Sequence, residues 1–145
     1  TCALPICLLN RRSISSIALE LLPRISRAQS MDVLSSQANI AGYKAVLLAA
    51  AQLDRYVPML MTAAGTIQPA RVLILGAGVA GLQALATARR LGGVVYVSDV
   101  RAAAKEQVES LGGRFLDPPT QQDLPSEKGG YATQATEAFL AAQRE

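Results

Sequence analysis

Six residues constrain this chain more than any others: Gly76-Ala77-Gly78-Val79-Ala80-Gly81. They follow the apolar run RVLIL, Arg71 to Leu75, and open a helical pattern from Val79 to Leu91. A G-x-G-x-x-G pattern alone is weak, but between a strand and a helix it marks a dinucleotide-binding turn. Gly76 permits the tight turn, Gly78 lacks the Cβ that would hold a pyrophosphate off the backbone, and Gly81 lets helix and strand pack closely. The helix N-terminus offers unpaired N–H groups and the positive end of its dipole to phosphate oxygens. Asp99 ends the next apolar run, roughly 20 residues on, where an acidic residue accepts hydrogen bonds from an adenosine ribose. A carboxylate there repels a 2′-phosphate, which favours NAD over NADP. Arg101 weakens that inference, since a nearby arginine can accept the same phosphate. The bland alternatives are a glycine-rich turn that binds nothing and a solvated carboxylate at a strand end.

The surrounding pattern supplies the fold. Arg71 to Leu75 is expected as a buried strand, Val79 to Leu91 as a helix closed by Gly92-Gly93, and Val94 to Ser98 as a second strand. Ala102 to Leu111 reads as a helix with Ala104, Val108 and Leu111 inward, and Arg114 to Leu116 as a short third strand. Asp117 to Gly130 is a long proline-containing loop, of a length that is often functional. A last helix is expected from Tyr131. This alternation implies a parallel sheet with right-handed crossovers. Upstream, Ile14 to Leu22 is expected as a strand ended by Pro23. A long helix is expected from Met31 to Tyr56, with Ser30 as N-cap, Asp32 in its first turn, and Ala38, Ala41, Ala45 and Leu48 on one face. At roughly 26 residues it would reach about 39 Å, the length of a helix that joins two domains. Gly42 and the alanines let another backbone approach it. Met59 to Pro69 reads as a loop. The fold class is therefore α/β: a partial Rossmann-type, doubly wound parallel sheet preceded by a long interdomain helix.

Composition excludes several chemistries. The chain of 145 residues has no histidine, which removes Ser-His and Cys-His nucleophile systems, histidine-ligated metals and a histidine base. No metal site is expected. Cys2 and Cys7 match neither a disulfide framework nor a zinc site and read as free thiols. A net charge of +3 from 14 basic and 11 acidic residues does not point to nucleic acid. The longest uninterrupted apolar run, Ala45 to Ala51, is far short of the ~18 residues that span a bilayer. Thr1 to Cys7 fits no element and reads as a clipped or artificial start, so a fragment is expected.

With the fingerprint placed, its surroundings are recognisable. The stretch from Leu22 to Leu116 resembles domain I of the proton-translocating NAD(P) transhydrogenases, in their alpha subunit, within the alanine dehydrogenase/transhydrogenase superfamily. The resemblance rests on PRISRAQSMDVLSSQANIAGYKAV, MTAAGTIQPARVLILGAGVAGLQALATARRLG and SDVRAAAKEQVESLGG, and more weakly on GGYA at Gly129 to Ala132. The RAQSMD run separates these proteins from alanine dehydrogenase, which shares the fold and the fingerprint.

The resemblance implies that this region binds NAD(H) and exchanges a hydride with NADP(H) held on a separate domain III, while a membrane domain couples the exchange to proton movement. It implies a homodimer of domain I, peripheral on the cytoplasmic side of the bacterial inner membrane. By the same likeness Arg24, Gln29, Asp32 and Ser35 surround the nicotinamide and its ribose. Gly76, Gly78, Val79 and Gly81 take the pyrophosphate and Asp99 the adenosine ribose. Tyr131 lies on a loop that closes over the site. Residues 1–30 then end a first lobe, 31–57 form the connecting helix, and 58–145 form part of the NAD-binding lobe. Direct hydride transfer between two nicotinamides needs positioning groups and no proton-transfer side chain, which agrees with the absence of histidine. The alternatives are an alanine-dehydrogenase-like enzyme, for which Lys44 in mid-helix is a poor proton-transfer residue, and a non-catalytic NAD-binding module.

Overall fold

The computed structural model describes residues 4–23 and 25–117. The chain divides into two compact units, Thr1–Ser36 and Gln37–Glu145. Arg24, Tyr131, the expected loop from position 118 onward and the last expected helix lie outside the described residues.

The first unit holds helix α1, Leu4–Arg11, in a stretch whose sequence signals no element. Its proline falls in the first turn, where a missing N–H costs no helical hydrogen bond. Cys7 lies on α1 and is disulfide-bonded, not the free thiol expected from spacing. Bridging depends on Cβ separation, which sequence distance does not fix. The strand expected at Ile14 to Leu22 does not form: Leu19–Leu21 is a 3-10 turn, and among the described residues no strand pairs with this segment. A second 3-10 segment, Ser26–Met31, leads to Asp32.

Helix α2 runs Val33–Gln52, shorter at both ends than expected. Asp32, not Ser30, is its N-cap. Its φ of −75° and ψ of 86° are non-helical, its carbonyl accepts the first helical bond from Ser36 N–H at 3.2 Å, and its carboxylate accepts from Ser35 N–H at 3.0 Å. A cap of this kind stabilises a helix by about 1 kcal/mol.

The second unit contains most of α2. The loop expected at Met59 to Pro69 is instead a small antiparallel hairpin, β1 Leu60–Thr62 and β2 Gly65–Ile67, turning through Ala63-Ala64. A three-stranded parallel sheet follows, of β3 Arg71–Leu75, β4 Val94–Ser98 and β5 Arg114–Phe115, in the order β3-β4-β5. Helix α3, Val79–Arg90, joins β3 to β4, and helix α4, Ala104–Ser110, joins β4 to β5. The strands advance in one direction, so right-handed crossovers put both helices on the same face, where they touch. This is the Rossmann-type arrangement.

The core lies under those helices. Leu85, Val97 and Val108 are fully buried, with Ala77, Ala88, Val95 and Ala104 around them. Truncating a buried leucine such as Leu85 to alanine costs about 2–5 kcal/mol. RVLIL is not buried on both faces as expected. Val72 and Ile74 pack on the core, whereas Leu73 and Leu75 are 59% and 73% exposed. Leu111, expected inward, is 38% exposed beyond the end of α4.

Helix α2 packs on this unit through a face different from the one expected. Gly42 is buried, and a Cβ there would overlap the carbonyl oxygen of Ala80. Val46 packs on the core and Leu48 is exposed. Glycine at 42 thus lets the α2 backbone rest on the first turn of α3, the turn that follows the glycine loop.

Candidate functional site

The glycine loop sits at the C-terminal ends of β3 and β4, the edge where open parallel sheets bind ligands. Its start is pinned by a hydrogen bond from Gly76 N–H to the Ser98 carbonyl, 2.8 Å. The three glycines answer different demands. Gly76 has φ 97°, a left-handed conformation that side chains rarely adopt. Gly81 has no such torsion, but a Cβ there would collide with the carbonyl of Gly76. Gly78 has neither reason. Its φ of −76° and ψ of −173° suit any residue, and no atom of the chain would meet an added Cβ within 4 Å. The fold therefore explains two glycines and leaves the third facing open space.

Beside Gly78, α3 begins without a side-chain cap, and its first helical bond runs from Leu82 N–H to the Gly78 carbonyl, 2.9 Å. The first-turn N–H groups thus have no acceptor four residues back and present a positive dipole end. Val79, in that turn, is 45% exposed.

Asp99 stands just past β4 and is only 8% exposed. Oδ2 accepts from Ala77 N–H at 2.6 Å and from Arg101 Nη2 at 3.2 Å. Oδ1 accepts from Arg101 N–H at 2.8 Å and from Arg101 Nε at 3.0 Å. Burial alone would raise its pKa. The hydrogen bond from the Arg101 side chain, those from the Ala77 and Arg101 backbones, and the guanidinium charge outweigh burial and hold it below the usual value. Asp99 is thus a charged acceptor tied to the glycine loop. Ala77 and the side chain of Arg101 complete this cluster. The motif marks position 77 only as a spacer, yet its small side chain is 2% exposed and its N–H holds the carboxylate.

Gly76, Gly78, Val79, Gly81 and Asp99 are therefore brought together in the second unit. Gln29, Asp32 and Ser35 gather in the first unit, lining a cavity of about 200 Å³ with apolar neighbours including Leu22 and Ile25. There Asp32 accepts from Ser35 Oγ–H at 2.6 Å as well as from Ser35 N–H. Gln29 is exposed.

A parallel sheet, a glycine loop with one sterically open glycine, and a buried acid on the next strand define a domain of the Rossmann class. The chain belongs to the family described as alanine dehydrogenase/PNT, C-terminal domain, which matches residues 45–143. It is 59% identical over 138 residues to the first of the proteins that make up the NAD(P) transhydrogenase alpha subunit of Rhodospirillum rubrum, covering 94% of this chain and 36% of that protein. The corresponding protein of Rickettsia prowazekii is 50% identical over 133 residues, 92% of this chain and 34% of its own length. The transhydrogenase structure from Sinorhizobium meliloti superposes with a TM-score of 0.73 at 63% identity, over 74% of this chain and 31% of that one. The chain thus spans about a third of the length of these relatives. Among the described residues no helix is long and apolar enough to cross a membrane.

Proposed function

We propose that this chain is the NAD(H)-binding part of a proton-translocating transhydrogenase, which exchanges a hydride with NADP(H) held on a separate domain III. Gly78 carries the reading. Glycine at that position meets no need of the chain's own backbone or packing, and a pyrophosphate lying against the loop supplies the need. The loop also fits an anion, since the first-turn N–H groups of α3 face the same opening. The relatives' names agree with this reading.

In this proposal the second unit holds the nucleotide. Gly76, Gly78, Val79 and Gly81 take the pyrophosphate by backbone, and Asp99 accepts from the adenosine ribose. Arg24, Gln29, Asp32 and Ser35 orient the nicotinamide and its ribose, and Tyr131 helps exclude water. Nicotinamide, when bound, supplies the carbon that accepts or releases hydride. The side chains need only fix its distance and angle, where small errors cost about 10²-fold in rate. The whole protein would be a homodimer of domain I with partner domains, one of them in the membrane, and this part would lie on the cytoplasmic face.

The test uses a substitution that the fold tolerates. Gly78→Val keeps an allowed backbone and projects into open space, so the thermal midpoint should hold while NADH affinity, followed by nucleotide fluorescence, falls at least tenfold, about 1.4 kcal/mol. Unchanged affinity would remove the loop from nucleotide binding. Mixing the chain with NADPH, an NAD analogue and an NADP-binding domain then tests hydride exchange directly.

A further inference from the structure

The Asp99 carboxylate has about four lone-pair positions, and four donors already fill them. Two are backbone N–H groups, of Ala77 and Arg101, fixed by the loop and the strand end. The other two, Nε and Nη2, belong to one guanidinium. That side chain is 23% exposed, against 6% for Asp99, and can rotate away. Ribose hydroxyls that donate to Asp99 must therefore take the positions that Arg101 holds.

We propose that Arg101 is a specificity-determining residue: its guanidinium stands on Asp99 where the adenosine ribose hydroxyls would bind, and a dinucleotide enters by exchange with it. This rests on the nucleotide reading of the glycine loop and goes beyond it. The exchange has two consequences. Breaking a two-pronged, charge-assisted contact opposes binding of any dinucleotide. The displaced guanidinium stays tethered two residues from Asp99, within reach of a substituent on the ribose 2′ oxygen. It therefore offsets the repulsion between Asp99 and a 2′-phosphate. Asp99 alone would reject NADP(H) strongly; Asp99 with Arg101 rejects it less and binds NAD(H) more loosely.

Fluorescence titration of the full chain with NADH and with NADPH tests this. Arg101→Met removes both the competitor and the positive charge. NADH should bind at least threefold tighter, NADPH should weaken, and the ratio of the two dissociation constants should widen at least tenfold. Arg101→Lys keeps the charge but has a single ammonium in place of the planar fork. It should tighten NADH without weakening NADPH, and it carries the test if the methionine variant fails to fold. Unchanged affinities in the folded variants, or weaker NADH binding in both, would overturn the proposal and leave the nucleotide site standing. A wild-type chain that binds neither dinucleotide would overturn the site and this inference together.

Discussion

Asp99 organises the loop before any ligand reaches it, because its carboxylate joins the strand end to Ala77 N–H across the glycine turn. That double duty has a pH signature. The pKa is lower in the fold than the ordinary 3.8, while the unfolded chain returns to about 3.9. The group therefore contributes stability that is fully present above the unfolded value and is lost as pH falls through the folded one. Asp99→Asn should cost about 1–3 kcal/mol at neutral pH by unbalancing buried donors. It should also flatten the loss of stability below about pH 4. Urea midpoints from pH 7 down to pH 3 check both; parallel acid limbs in the two proteins would show that Asp99 does not carry this linkage. At this scale the three glycines and Asp99 are legible because their order along the chain follows from strand, turn and helix geometry. The grip of Arg101 on Asp99 is not, since a hydrogen-bond partner depends on side-chain rotamers that spacing does not encode.

Helix α2 shows where legibility stops for an element. Its existence is clear from the sequence, but its contact face is not: the pattern points Ala38, Ala41, Ala45 and Leu48 inward, and Gly42 and Val46 are the residues that pack. The helix is apolar on nearly every side, with Lys44 its single charge, so helical periodicity has little contrast from which to read a face. The hairpin β1-β2 escapes for a related reason, because Ala63-Ala64 carries none of the Asn-Gly or Asp-Gly chemistry that announces a two-residue turn. The N-terminus of α2 yields a prediction with two separable parts. Asp32→Ala should lower stability by about 1 kcal/mol through loss of the cap, whereas Asp32→Asn keeps a good cap and should lower it less. If Asp32 also orients nicotinamide, both substitutions should slow hydride exchange more than they weaken NADH binding. Kinetics that recover fully at saturating NADH would leave Asp32 as a helix cap alone.

For the molecule as a whole, the Rossmann-type class is readable from the alternation of elements, since right-handed crossovers leave few other topologies. The exposed side of β3 is not, because RVLIL reads the same whether one face or both are covered. Leu73 and Leu75 are 59% and 73% exposed, and among the described residues β3 pairs only with β4. An apolar strand with an open edge favours association. Sedimentation velocity of the 145-residue chain should show species that grow with concentration, and Leu73→Lys should shift them toward monomer. Equal distributions for the two proteins would acquit this edge. The close seat of α2 on Ala80 bears on heredity. Any coding change away from glycine at position 42 adds a side chain where the Ala80 carbonyl already lies, so no amino acid replacement there is small. Descendants of this gene would keep that glycine as faithfully as those of the loop, for a purely steric reason, and its invariance across species would pass for a binding role that it does not have.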